Sequence, residues 1–237
     1  MMSVGRSLLI ASIVLSFSTV QSCSSHSLRR ALMRLDCSAF LYPSACAKEA
    51  RKIATERESG TWGAVVVRDS SFVSNRLVFW QFHDVEPYPS KCSVESHNWV
   101  IEVFRTGWRE QSLEKNQIGQ IANLVIEANM DVSAVDLCPI SFLRELVKVS
   151  PIVDIESDLM FLQEKASRNL GGQWNALLVK FDKGVDASAH FGFDFPHYFY
   201  DSRSGFCIKS TSNGYKLTLF KISHTSEDDE KLQLGFS

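Results

Sequence analysis

The chain has 237 residues, 45% of them apolar and 22% charged, with Gly 12 and Pro 6, which is the composition of a globular protein rather than a disordered, collagenous or coiled-coil one. Twenty-five Lys and Arg stand against 27 Asp and Glu, a formal net charge of −2, so the whole-chain field does not gather polyanions and nucleic acid is not an expected primary partner. The only long apolar run comes at the start, which excludes a multispan membrane protein.

Residues 1–22 place one cation, Arg6, before the apolar block 8–20, and small Ser22 offers a cleavage site. That is the pattern of a signal peptide, and the block is short for a membrane span; an uncleaved anchor is the alternative. Export puts Cys23, Cys37, Cys46, Cys92, Cys138 and Cys207 in an oxidising compartment. No Cys-x-x-Cys occurs and the six histidines are scattered, so no metal site and no cofactor are expected.

The predicted elements then run twice through the same order. Leu28, Ala31, Leu32 and Leu35 form one apolar stripe; Ala47, Ala50, Ile53 and Ala54 form a second. Gly60-Thr61-Trp62 stops that helix and leads into the strand 64–67. RLVFWQF, residues 76–82, has strand composition, and WVIEVFRTG, residues 99–107, closes the unit. After it, residues 113–129 carry Ile118, Ile121, Ala122 and Val125 on one helical face, predicting a helical connector.

The order recurs about 112 residues later. Phe142, Leu146 and Val149 with Leu143 and Val147, then Ile155, Leu159, Leu162 and Ala166, predict two helices. Gly172-Gln173-Trp174 opens a strand, PHYFYD (196–201) supplies an aromatic one, and YKLTLFKI (215–222) closes the unit. The stretches 84–98 and 202–214 are expected as long loop insertions. The acidic tail 224–237 lacks a periodic face and is expected to be disordered. The predicted fold class is α+β: two tandem units, 23–108 and 131–223, joined by 109–130, each with two helices packed on a four-stranded antiparallel sheet.

In order and spacing, the second unit resembles the small dynein light chains of the peptide-capturing type. The likeness lies in VIEANMD, FLRELVKVSPIVDIESDLMFLQEKASRNLGGQW, HYFY and LTLFK; the first unit is similar more distantly, through TWGAVVVRDSSFVSNRLVFWQF and VIEVFRTG. The resemblance implies a sheet fold that dimerises through an exchanged strand, binds extended peptides at a sheet edge and performs no catalysis. Where that family carries a Thr-His pair on its second strand, this chain has Ser74-Asn75 and Ser188-Ala189-His190. The residues expected to meet a peptide are therefore Ser74, Asn75, Phe79, Ser188, His190, Tyr198 and Tyr200.

The expected function is that of a secreted, non-enzymatic module capturing a protein or peptide ligand by strand addition. With two units on one chain, an internal pseudo-dimer and a monomeric molecule are expected. Two other readings stand beside it: an apolar-ligand binder with an aromatic cavity above about 300 Å³, and a thiol enzyme using Cys207 and His190. Trp62 and Trp174 are expected as core aromatics. Among the cysteines, Cys92 and Cys207 occupy corresponding places and pair with Cys46 and Cys138 respectively, or with each other, while Cys37 and Cys46 could instead close a small loop. Spacing does not choose among these.

Overall fold

The computed structural model describes residues 23–85, 90–107, 137–180, 190–196, 199–200 and 203–222. The expected signal peptide, the connector 109–130 and the tail 224–237 lie outside the described residues. Helices α1 (His26–Leu32) and α2 (Pro43–Arg57) lead into β1 (Thr61–Arg68), the one-turn helix α3 (Ser71–Ser74), β2 (Val78–Gln81), β3 (Lys91–Ser96) and β4 (Trp99–Gly107). Helices α4 (Ser141–Val149) and α5 (Ile155–Leu170) lead into β5 (Gln173–Lys180), β6 (Phe191–Asp194), the two-residue strands β7 (Phe199–Tyr200) and β8 (Arg203–Ser204), then β9 (Phe206–Ser210) and β10 (Tyr215–Ile222).

Local chemistry places the helix boundaries. Ser25 Oγ accepts from Leu28 N at 3.2 Å and caps α1, Pro43 opens α2 where its missing N–H costs nothing, and Gly171 at φ 70° stops α5. The strand that follows each long helix starts with a fully buried tryptophan. Trp62 Nε1 donates to Ser59 O and Trp174 Nε1 to Gly171 O, each at 3.1 Å, so each indole is tied to the turn before its strand.

The strands form two four-stranded antiparallel sheets, in the orders β3-β4-β1-β6 and β9-β10-β5-β2, with β7-β8 as a separate ribbon. The α+β class is as expected; the composition of the sheets is not. Each sheet takes three strands from one half of the chain and its fourth from the other. β2 leaves the first half to pair with β5 (Val78 opposite Val179, Gln81 opposite Ala176), and β6 leaves the second half to pair with β1 (Phe191 opposite Val67, Asp194 opposite Ala64).

Three expectations are corrected here. PHYFYD is not the second-half counterpart of β2: among its described residues Phe199–Tyr200 is strand, paired elsewhere, and the segment that pairs is FGFD just before it. Pro196 has no N–H to offer a ladder, so β6 ends ahead of it. The stretches 84–98 and 202–214 are not simple insertions, since they contain β3 and β9, the outer strands of the two sheets. The helix complement also differs from two per unit, because α3 and a 3-10 turn (Cys37–Ala39) add to the first half. Of the two apolar stripes on α4, Leu143 and Val147 are buried, whereas Val149 is 70% exposed.

Apolar side chains collect in three layers. One lies between α1/α2 and the first sheet, another between α4/α5 and the second sheet. A third fills the space between the sheets with Val65, Val67, Val100, Leu177, Val179 and a set of phenylalanines. The residue just after each exchanged strand anchors this middle layer: Phe82 stacks on Phe104 at 3.7 Å between centroids, Phe195 stacks on Phe220 at 4.1 Å, and Phe104 and Phe220 are 5.9 Å apart. The helices are thus outside and the sheets face to face.

Candidate functional site

β2 and β6 are each the terminal strand of a sheet, so one side of each backbone is unpaired by its own sheet. The register says which residues face outward. Lys180 N donates to Leu77 O at 2.7 Å, so in the antiparallel alternation Phe79 and Gln81 turn their backbone groups toward β5 while Val78 and Trp80 turn theirs away. Arg68 N donates to His190 O at 2.7 Å, which by the same alternation turns Phe191 and Phe193 outward from β1.

The two edges differ in how closely a helix lies against them. On β6, Gly192 faces α2 with no side chain, and a Cβ there would run into the backbone of Pro43 and Ser44. Arg51 Nη1 then donates to Asp194 Oδ2 at 3.1 Å, with the side chains 18% and 23% exposed. Helix and strand are closed on each other along this edge.

On β2 the residue in the place of Gly192 is Phe79, half-buried and packed on the helix-side core. Two side-chain contacts among the described residues join α5 to this edge. Gln163 Nε2 donates to both Gln81 O and Trp174 O, each at 2.9 Å, and at the other end Arg76 meets Glu156 at 3.0 Å in solvent. Between Glu156 and Gln163 on the same helical face stands Met160, 50% exposed. β2 is thus a sheet edge with an amphipathic helix beside it, Phe79 packed toward the helix-side core and Met160 exposed on the helix.

Of the residues expected to meet a peptide, Phe79 lies on the edge strand β2. Ser74 and Asn75 do not: they are exposed at the end of α3, where Ser74 Oγ bonds Ser71 O at 3.3 Å. The turn that holds them starts at Asp69, at φ 70°, whose carboxylate accepts from Ser71 N at 2.8 Å; these hydrogen bonds hold its pKa below the usual carboxylate value. His190 directly precedes β6, stacked on Phe72 at 5.2 Å, with a buried Nδ1 that has no hydrogen-bond partner among the described residues. Ser188 and Tyr198 lie outside the described residues, as does the side chain of Tyr200.

Residues not singled out from the sequence carry much of the geometry: Arg51, Gln163, Met160 and the FGFD strand. One signal was available. Arg51 and Gln163 are separated by the same 112 residues as Trp62 and Trp174. Both use a helix residue to hold a strand that comes from the other half of the chain.

All six cysteines are bonded, as Cys23–Cys92, Cys37–Cys46 and Cys138–Cys207. Cys92 therefore pairs with Cys23, not with Cys46 or Cys207, because the segment before α1 runs beside β3 and forms a bridge at Cys23 and Cys92. The corresponding bridge joins Leu137 to Ile208 next to Cys138 and Cys207, and both of these disulfides span 69 residues. With Cys207 bonded, the thiol–imidazole pair with His190 is not formed.

The apolar-ligand reading expected an aromatic-lined cavity between sheet and helices, where the two packed cores lie; a cavity of about 380 Å³ among the described residues lies on α1 and the turn after it, lined by His26, Arg29, Arg30, Met33 and Arg34. Among the described residues no helix is long and apolar enough to cross a membrane, and no cluster of His, Cys, Asp or Glu is arranged to hold a metal ion. The three disulfides fit an oxidising, extracellular setting. Comparison with protein-family models, with curated proteins and with solved structures finds no match to this chain.

Proposed function

We propose that this protein is a secreted, non-enzymatic binding module built from two divergent light-chain-like units in tandem, which captures an extended peptide segment of a protein partner at the open edge of β2. The observation that carries the reading is the edge strand β2 lying beside α5, taken as the two walls of a peptide groove. An incoming strand there meets the outward N–H and C=O groups of Val78 and Trp80, and its alternate side chains meet Phe79 and Met160. Main-chain hydrogen bonds supply affinity, and the apolar surface selects side chains. The reciprocal exchange of β2 and β6 supports the tandem light-chain reading, since that family's expected exchange between protomers is here satisfied within one chain. The closed contact of α2 on β6 assigns capture to one edge of the two.

The test is selection of peptides from a random library on the oxidised chain, followed by hydrogen exchange of the complex. Slower exchange at the amides of Val78 and Trp80, with binding lost in Met160→Glu, is the expected result. Selected peptides that leave those two amides unchanged would sink the reading.

A further inference from the structure

The charged groups on α1 are not required by its packing. Leu28 and Leu32 are fully buried and hold α1 on the first core, and 115 residues later Leu143 and Val147 hold α4 on the second in the same way. The outer positions nevertheless differ. Where α1 and the turn after it carry Arg30 and Arg34, α4 carries Glu145 and Val149. The cations of α4 are also used internally: Arg144 donates to Cys138 O at 3.2 and 2.9 Å, and Lys148 pairs with Glu145 at 3.8 Å. His26 and Arg30 on α1 and Arg34 in the turn after it are exposed and make no ion pair among the described residues. Three basic side chains thus gather around a cavity of about 380 Å³ in a chain whose net charge is −2.

We infer that this basic cavity is a second binding surface, separate from the β2 groove, and that its occupant is a sulfated polysaccharide. His26, Arg30 and Arg34 line one cavity together, a group of donors suited to a chain of repeating anions rather than to a single ion. Arginine forks grip the oxygens of sulfate in pairs. A lipid surface fits less well, because Met33 is the one large apolar side chain lining the cavity and interfacial helices insert a whole apolar face. Single-stranded nucleic acid would want aromatic platforms, which the lining lacks. The disulfides fit the compartment where sulfated polysaccharides occur.

The experiment uses the full oxidised chain and immobilised heparin as the probe. Expected are binding that weakens steeply with salt, a loss of about tenfold or more in Arg30→Ser/Arg34→Ser, retention in Arg30→Lys/Arg34→Lys, and no change in Arg168→Ser on α5, in line with a charge-dominated contact. Unchanged thermal melting keeps the serine variant interpretable, since both side chains are exposed. Any of four results overturns the inference: the serine variant binds as the parent does, desulfated heparin binds equally well, phosphatidylserine vesicles bind while heparin does not, or binding appears only after removal of the acidic residues 227–230.

Discussion

Arg51 on α2 holds Asp194 on β6 at 3.1 Å across 143 residues of sequence, and so ties a helix of the first half of the chain to a strand supplied by the second. At the matching place Gln163 on α5 holds Gln81 O on β2 at 2.9 Å. The two clamps differ in burial. Arg51 and Asp194 are partly exposed, whereas Gln163 is 1% exposed and also accounts for Trp174 O. Gln163→Ala is expected to cost about 1–3 kcal/mol, because two buried carbonyls lose a donor. Asp194→Ala is expected to cost about 1 kcal/mol or less. Urea denaturation of the two variants checks the ordering, and the reverse order would mean that the clamps are not equivalent in kind.

Gly192 tests how tightly α2 closes the β6 edge. A methyl group there meets the backbone of Pro43 and Ser44, which cannot turn aside as a side chain can. Gly192→Ala is therefore expected to destabilise by about 1–3 kcal/mol or to displace the first turn of α2. Phe79→Ala at the corresponding place on β2 is expected to cost about 3 kcal/mol in lost packing. Denaturation midpoints together with hydrogen exchange of the α2 and α5 amides distinguish these outcomes.

The disulfides make a graded set. Cys138–Cys207 and Cys23–Cys92 close long loops, and removing either pair by Cys→Ser is expected to cost about 4 kcal/mol in the chain-entropy account. Cys37–Cys46 spans 9 residues and should cost less, about 3 kcal/mol. The second half manages the equivalent turn without a disulfide. There Asp158 stands in place of Cys46, and its carboxylate accepts from Val153 N at 2.7 Å and Asp154 N at 2.9 Å. Peptide mapping under non-reducing conditions should recover these three pairs; a Cys46–Cys92 peptide would contradict the fold.

Glu102 gives the chain a pH dependence of unusual sign. It lies on β4 opposite Ser93 and Val65, is 6% exposed, and burial raises its pKa from 4.5 to about 7 against the opposing pull of Ser93 and Lys91. Since the folded state holds this proton more tightly than the unfolded state, the stabilisation is complete below pH 4.5 and is lost as pH rises through about 7. The effect is on the order of 3 kcal/mol. Glu102→Gln should flatten the stability profile between those pH values, as read by urea titrations at successive pH. A profile unchanged by the substitution would show that Glu102 does not titrate in that range.

Because each exchanged strand already finds its sheet within the same chain, the oxidised protein should sediment as a monomer at micromolar concentration. A stable dimer would mean that β2 and β6 are traded between molecules.

What could be read from the residues followed the range of the interactions. Helices α1, α2, α4 and α5 announce themselves by apolar spacing, and Trp62 and Trp174 mark the first strand of each half, since both signals arise within a few residues. FGFD escaped notice because four residues with a central glycine carry little strand propensity. HYFY drew attention in its place because aromatic composition looks like a strand whether or not a partner exists. Among the expected peptide contacts, Phe79 lies on the edge strand β2 while Ser74 and Asn75 lie in a turn fixed by Asp69.

The sequence by itself determined the kinds of element, their order and the apolar faces they would bury, because backbone preference and side-chain periodicity act locally. Only the tertiary structure decided which sheet β2 and β6 would join, which cysteines would meet, and which edge would stay open. Those outcomes depend on groups far apart in the chain, as where Gly192 on β6 admits the backbone of Pro43 and Ser44.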